Sequence, residues 1–381
     1  MGALVTLLLT GIVFFGFGHN VVSLGTVYKL SQLKGLMDEN YLGKADGEEL
    51  KEGIYKGYLE ALDDPYSIYY DAQETKQLNE RLSGQFNGIG ALLTQDKDTG
   101  VITLIRIYKD SPAMDAGLKD GDILYQIEGR DVTGEDLNQV VNDIKGDRGT
   151  KVNLTVIRGS DDQQITVNVT RDVVEKQTVD SRMLEDGIGY LAVSEFDSVT
   201  YSQYKEALDD LENQGAGSLV IDLRNNPGGN LDIVCEMLDL ILPKGVIVYT
   251  EDKNGERKEY TSDSNQQVKM PIAVLMNGQS ASASEIFAAA VQDYDRGEIV
   301  GTQSYGKGVV QKLYDLMDGS CVKLTSAEYF TPKGRRINGK GVTPDVEVEY
   351  EYDPNHPEAD HQLEKAIETL KTEYGQKGLQ E

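Results

Sequence analysis

Apolar and polar positions change rhythm several times along the chain. Residues 3–17, ALVTLLLTGIVFFGF, form a nearly continuous apolar run, and no charged side chain precedes Lys29. Such a run has the length of a signal-peptide core or a short membrane anchor. Without a convincing small-x-small cleavage site it reads as an uncleaved anchor over residues 1–28, although the usual positive flank before it is missing. Residues 29–83 are polar with helical spacing, as in EELKEGIYKGYLEAL, until DDPYSIYYD breaks the pattern. Residues 84–174 shorten into strand-like pieces separated by Gly and Asp turns. Over 175–350, β-rich pieces such as GIGYLAVSEF alternate with strand–turn–helix units. The acidic residues 351–381 carry an amphipathic helix, with Leu363, Ala366, Ile367, Leu370 and Tyr374 on one face.

Two units within 175–350 share a layout. SLVIDLRNNPGGNLDIVCEMLDLIL (218–242) runs from a buried-type strand through Pro-Gly-Gly into a helix. PIAVLMNGQSASASEIFAAAVQD (271–293) does the same through Asn-Gly. Repeated β–turn–α units predict an α/β core whose polar turns gather at the carboxyl edge of a sheet. The second turn carries Ser280, Ser282 and Ser284, and Ser282 with Glu285 fits a capping box. A cap is the commoner fate of such a serine; a nucleophile at a helix start is the sharper reading.

Composition narrows the choice. The 381 residues hold 64 acidic and 37 basic side chains, a net charge of −27, which disfavours nucleic acid and anionic lipid as partners. Cys235 and Cys321 stand in unrelated contexts, with neither zinc-ligand spacing nor a disulfide framework. The histidines are His19, His356 and His361, in the anchor and the acidic tail. A Ser-His-Asp triad and a histidine metal site are therefore both improbable. A lysine serves as base when burial leaves its amine neutral. GTQSYGKGVVQ (301–311) offers Lys307, and in an extended KGVVQ the side chains of Lys307, Val309 and Gln311 share a face. The bland alternative is a solvated turn lysine. Ser304 and Lys307 also spell S-x-x-K, but the flanking glycines and following β-like run rule out the helix that this motif needs.

SASASEIFAAAVQD followed by GTQSYGKGVVQ closely resembles the carboxy-terminal processing peptidases, the tail-specific serine proteases of family S41. DLRNNPGG (222–229), DDPYSIYYD and YFTPKGRRINGKGVTPDVEVE match further family segments in the right order. The resemblance implies Ser282 as nucleophile, Lys307 as base and Gln311 as the residue orienting it. It also implies an oxyanion hole from the amides of Gly228 or Gly229 and of Ala283, with no metal or organic cofactor.

FNGIGALL (86–93) and DSPAMDAGLKDGDILYQIEGRDV (110–132) resemble a PDZ domain. Such domains take an extended chain end as an added strand. The expected carboxylate loop is Gly88, Ile89 and Gly90, and Val140, Val141 and Ile144 of LNQVVNDIKG would line the groove. Arg148 is a candidate for coupling this domain to the dyad.

The expected fold is an α/β peptidase core of crotonase/ClpP-like architecture with an inserted PDZ domain (β-rich with two helices) and a helical N-terminal segment. The expected protein is a membrane-anchored extracytoplasmic serine endopeptidase, or one secreted after signal cleavage, that cuts proteins near their C-termini. Its partners would be protein or peptide substrates held by their C-terminal ends. Residues 29–83 and 360–374 are candidate homodimer contacts. An inactive PDZ scaffold is the main alternative, and an acyl-CoA enzyme on a crotonase-type core a remote one.

Overall fold

The computed structural model describes residues 23–159, 163–352, 354, 356 and 359–377. The apolar run at 3–17 lies outside them. Among the described residues no helix is long and apolar enough to cross a membrane.

The chain opens with helices α1 (Leu24–Asn40) and α2 (Gly47–Glu60), followed by strand β1 (Ile68–Tyr70) and helix α3 (Ala72–Ser83). Asp71 and Glu74 form a capping box at the start of α3, and Gly84 ends it at φ 67°. A Cβ at Gly84 would lie 2.6 Å from Val199 Cγ2, so the chain turns there only with glycine. β2 (Gln85–Gly88) then enters a compact β domain of β3 (Ala91–Gln95), β4 (Ile102–Ile107), α4 (Pro112–Asp115), β5 (Ile123–Ile127), β6 (Arg130–Asp131), α5 (Leu137–Ile144), β7 (Lys151–Arg158) and β8 (Gln163–Thr170). β9 (Asp172–Glu175) leaves alongside β2, so an antiparallel ribbon joins this domain to the rest. The domain's sheet runs β3-β4-β5-β7-β8, which leaves β3 at an edge.

The large domain follows: β10 (Val179–Met183), β11 (Ile188–Val193), α6 (Thr200–Asn213), β12 (Ser218–Asp222), α7 (Leu231–Asp239), β13 (Gly245–Asp252), β14 (Arg257–Ser262), β15 (Ile272–Met276), α8 (Ala283–Asp293), β16 (Gly297–Gly301), β17 (Val309–Asp315), β18 (Cys321–Phe330), β19 (Val346–Glu347) and α9 (His361–Lys377). Strands β11, β12, β15, β16 and β19 are parallel, with β10 antiparallel at the edge. β12 and β15 are buried at every position, as strands covered on both faces must be. On one face Phe287, Tyr204, Met237 and Leu238 join the main core. That core continues to Ile247, Val248 and Tyr329 of a second, antiparallel sheet, β1-β18-β13-β14 with β17 paired to β18.

The other face of the parallel sheet is covered by α9, whose Ala366 and Leu370 pack on Tyr190, Val220 and Leu275. This corrects the view of the last residues as a tail with dimer contacts at 360–374: the apolar side of α9 is spent on its own sheet. The division at residue 83 also cuts across contacts, because β1 pairs with β18 (Ile68↔Lys323, Tyr70↔Cys321). By contrast, α1 buries none of its residues and exposes Leu24, Val27, Leu33 and Leu36. Cys235 and Cys321 are both buried free thiols, on α7 and β18.

Candidate active site

Parallel neighbours β12 and β15 deliver their turns to one edge. There Asn225, left-handed at φ 60°, and Asn277 exchange hydrogen bonds: Asn225 N to Asn277 Oδ1 at 3.0 Å and Asn277 Nδ2 to Asn225 Oδ1 at 2.8 Å. The two serines flanking Ser282 fasten the same junction. Ser280 Oγ donates to Leu223 O (2.8 Å) and Ser284 Oγ to Asn226 O (2.9 Å), while Ala281 N–H also reaches Asn226 O (3.1 Å). Between these anchors sits Ser282, half-buried at φ 56° and ψ −113°. A side-chain-bearing residue costs of order 1–3 kcal/mol in so sparse a region, and such strain persists only where surrounding bonds impose it.

The 228–229 turn presses directly on this serine. A Cβ at Gly228 (φ 102°) would come 2.6 Å from Ala281 O and 2.8 Å from Ser282 Cβ, and one at Gly229 (φ 152°) 2.3 Å from Phe196 O. Only glycine fits either place. The two amides differ, however. Gly228 N–H already donates to Asn226 Oδ1 at 2.8 Å. Gly229 N–H and Ala283 N–H have no acceptor among the described residues.

Glu285 is fully buried and was legible only as a helix-start residue. Its carboxylate accepts four hydrogen bonds: Ser282 N–H (2.8 Å), Ser304 Oγ–H (2.6 Å), Gly306 N–H (2.7 Å) and Lys307 N–H (2.9 Å). Ser304, half of the rejected S-x-x-K motif, is thus a donor to Glu285 in a non-helical segment. The buried Tyr329 hydroxyl makes a second tie, lying 3.2 Å from Ser282 O and within hydrogen-bond distance of Lys307 O. Ser282 and Lys307 therefore share two backbone partners.

The Lys307 side chain is half-buried, and its Nζ lies over the Tyr66 ring, 4.8 Å from the centroid. Burial, then the Lys323 charge, pushes its amine below the usual lysine range, against the opposing pull of Glu285 and Asp64. Gln311 does not follow the expected geometry. The β17–β18 register shifts between Val310 and Gln311, the extra residue being Ser326 of β18, so Gln311 stands opposite Thr325, and no hydrogen bond among the described residues joins it to the Lys307 amine. Its Nε2 lies 3.4 Å from Thr325 Oγ1 and 3.5 Å from Val309 O.

Below the 222–229 turn, Arg224 bonds Asp222 and Asp360 through both faces of its guanidinium, at 2.6 and 2.7 Å in the closest pairs. Burial opposes charge on Asp360, yet the Arg224 contact holds it below the usual carboxylate range. Start-of-helix residue Asp360 so anchors α9 to the site's own loop.

In the β domain, Ile89 O accepts Ala113 N–H and Gly90 O accepts Tyr108 N–H, whereas the Ile89 and Gly90 amides have no acceptor among the described residues. A Cβ at Gly90 would meet Ser111 Cβ at 2.4 Å, and Gly88 closes β2. Val140 and Ile144 belong to the domain's core together with Ile89, so the expected lining residues are mostly interior ones. Val141 instead lines a cavity between α3 and α5 beside Phe86 and Lys145. Arg148 pairs with Asp172 at 2.6 Å on β9, an exposed bond across the connecting ribbon. Among the described residues no group of three or more His, Cys, Asp or Glu side chains could hold a metal ion.

Comparison with known proteins decides the family. The model of peptidase family S41 matches residues 187–348, that of the PDZ domain residues 105–158, and that of the "Activating protease CtpB N-terminal domain" residues 19–75. A "Probable CtpA-like serine protease" of Staphylococcus epidermidis is 36% identical over 335 residues, covering 87% of this chain and 67% of that protein. The chain belongs to peptidase family S41. The "Carboxy-terminal processing protease CtpA" of Bacillus subtilis is 37% identical over 322 residues, covering 84% of this S41 peptidase and 68% of the relative. The chain thus spans about two thirds of these relatives' length. An S41 protease structure from Bacteroides fragilis shares the fold at a TM-score of 0.52 and 18% identity, over 88% of this chain and 91% of that one.

Proposed function

We propose that this S41 peptidase cuts protein substrates near their C-termini with Ser282 as nucleophile and Lys307 as general base. The observation that carries the reading is the shared clamp: Glu285 and Tyr329 each bond the backbone of both residues. The lowered lysine pKa supports it, since a neutral amine is what a base requires. Ser282 Oγ attacks the scissile carbonyl carbon as the Lys307 amine takes its proton. The tetrahedral oxyanion is met by Gly229 N–H and Ala283 N–H, the second at the positive end of α8. The Lys307 ammonium then protonates the departing amine, and water releases the acyl group from Ser282 by the same steps in reverse order. In this reading Gly228 supplies space rather than a donor, and Gln311 bonds Thr325 rather than the base.

The layering of α9, parallel sheet, helices and antiparallel sheet supports a crotonase/ClpP-like core. Gly228→Ala is expected to lower kcat by about 10²–10³, the loss typical of one oxyanion donor, because the new carbon displaces residues 281–283. A kcat within threefold of wild type would mean that the turn yields elsewhere.

Substrate chain ends are read as an added strand on the open edge of β3, with the carboxylate at the Ile89 and Gly90 amides. The charge-free residues 1–28 support membrane attachment and an extracytoplasmic peptidase, and secretion after cleavage is the alternative. The exposed apolar side of α1 fits a second copy of the chain. The Arg148–Asp172 pair, which ties the loop before β7 to the ribbon strand β9, supports a role for Arg148 in coupling the PDZ domain to the core.

The test is digestion of an unfolded reporter protein whose C-terminus is either free or amidated, with product ends mapped by mass spectrometry. Cuts close to the C-terminus, and at least tenfold faster cleavage of the free-ended reporter, are expected. Equal rates would remove chain-end recognition, and intact reporter would favour the scaffold alternative.

A further inference from the structure

Residues 63–70 precede the PDZ domain in sequence yet reach the far side of the peptidase site. β1 pairs with β18, and this places the preceding turn against Lys307. The ring of Tyr66 lies beneath Lys307 Nζ. Asp64 Oδ2 accepts Ser67 Oγ–H at 2.5 Å and its Oδ1 accepts Tyr66 N–H at 3.1 Å. Ser67 Oγ in turn accepts Thr325 N–H at 3.1 Å.

The bonds run in one direction. Gln311 Nε2–H points to Thr325 Oγ1, and Thr325 N–H points to Ser67 Oγ, whose own proton goes to Asp64. Asp64 is thereby held as a carboxylate: burial opposes its charge, but the hydrogen bonds of Ser67 and Tyr66 and the Lys307 charge outweigh it. We propose that Asp64 and Tyr66 are positioning residues for Lys307, donated to the active site by the segment ahead of the PDZ domain. The inference rests on Lys307 being the base. It assigns to Asp64 and Tyr66 the orienting task first given to Gln311 alone.

An ammonium over an aromatic face is stabilised by the ring quadrupole, and an anion nearby adds to it. The other groups facing Lys307 are Glu285 on α8 and Lys323 and Tyr329 on β18, while Tyr305 on its own loop faces Tyr66. Removing the Asp64 charge takes away a stabiliser of the protonated amine. The amine then loses its proton at lower pH, and the acid limb of kcat/KM moves to lower pH. Replacing the Tyr66 ring by an aliphatic side chain acts in the same direction, whereas phenylalanine keeps the ring face.

The experiment is the pH profile of kcat/KM on an unfolded reporter for the full chain and for Asp64→Asn, Tyr66→Leu, Tyr66→Phe and Lys307→Ala, with Tm recorded for each. Expected are an acid limb displaced to lower pH in Asp64→Asn and Tyr66→Leu, and a limb at the wild-type position in Tyr66→Phe. Plateau kcat is expected to fall severalfold in the first two, with KM little changed. Limbs at the wild-type position in both Asp64→Asn and Tyr66→Leu, with activity tracking Tm alone, would overturn the inference and leave the dyad standing. Activity retained in Lys307→Ala would instead overturn the assignment of the base, and the positioning role with it.

Discussion

Ser282→Ala and Lys307→Ala are each expected to reduce cleavage of an unfolded reporter by about 10⁵-fold or more, with the fold intact. General-base assistance alone is worth roughly 10²–10⁴. A nucleophile and its base act as a unit, however, so losing either removes nearly the whole of their joint contribution. Ser282 is half-buried and truncation to alanine deletes one oxygen, so no buried group loses a partner. Lys307 contributes its backbone to Glu285 and Tyr329, and these bonds survive the substitution. Tm should therefore stay within a few degrees of wild type. Steady-state cleavage combined with a thermal melt checks both halves of the expectation. If Ser282→Ala cut as fast as wild type, another nucleophile would be needed; if only Lys307→Ala stayed active, the proton would have a different acceptor.

Glu285→Gln is the second large effect, and it should reach both activity and stability. The carboxylate accepts four donors with no solvent access. A glutamine amide offers one accepting oxygen and presents an NH₂ group where donors already point. Two buried donors would be left without an acceptor, at about 1–3 kcal/mol each. Against a total stability of about 5–15 kcal/mol, that is a large share. The freed donors include those holding the Ser282 and Lys307 backbones, so kcat should drop by at least about 10² through misplacement alone. Thermal unfolding and single-turnover cleavage of the variant give the two readings. A variant with wild-type Tm and wild-type kcat would show that Ser304, Gly306 and Lys307 find other acceptors.

Much of the large domain was legible in the chain. Continuous apolar runs at 219–221 and 272–276 mark strands buried on both faces, and β12 and β15 are such strands. The paired turns after them, with glycine at 228 and 229 and serines at 280–284, carry enough order to place the chain among the S41 peptidases. The PDZ domain was recognisable from its turn-and-strand segment for the same reason. Its lining residues were not, because Val140 and Ile144 lie four apart on the helical face that points into the domain. An apolar helix position tells that a face is buried, not against what.

The sequence by itself therefore determined the family, the order of the units and the turns that only glycine allows. Those features are local: periods of 2 and 3.6 residues and backbone angles are set within a few residues of the chain. Tertiary structure decided the rest. Donors to Glu285 arrive from residues 19 to 22 positions further on, and Tyr329 reaches back 47 positions to Ser282. Tyr66, whose amide bonds Asp64, meets Lys307 only because β1 pairs with β18. Pairing with β18 set Gln311 opposite Thr325, and packing on a sheet made the acidic end of the chain part of the core. None of these contacts has a local signature, since each depends on which distant partner the folded chain brings alongside.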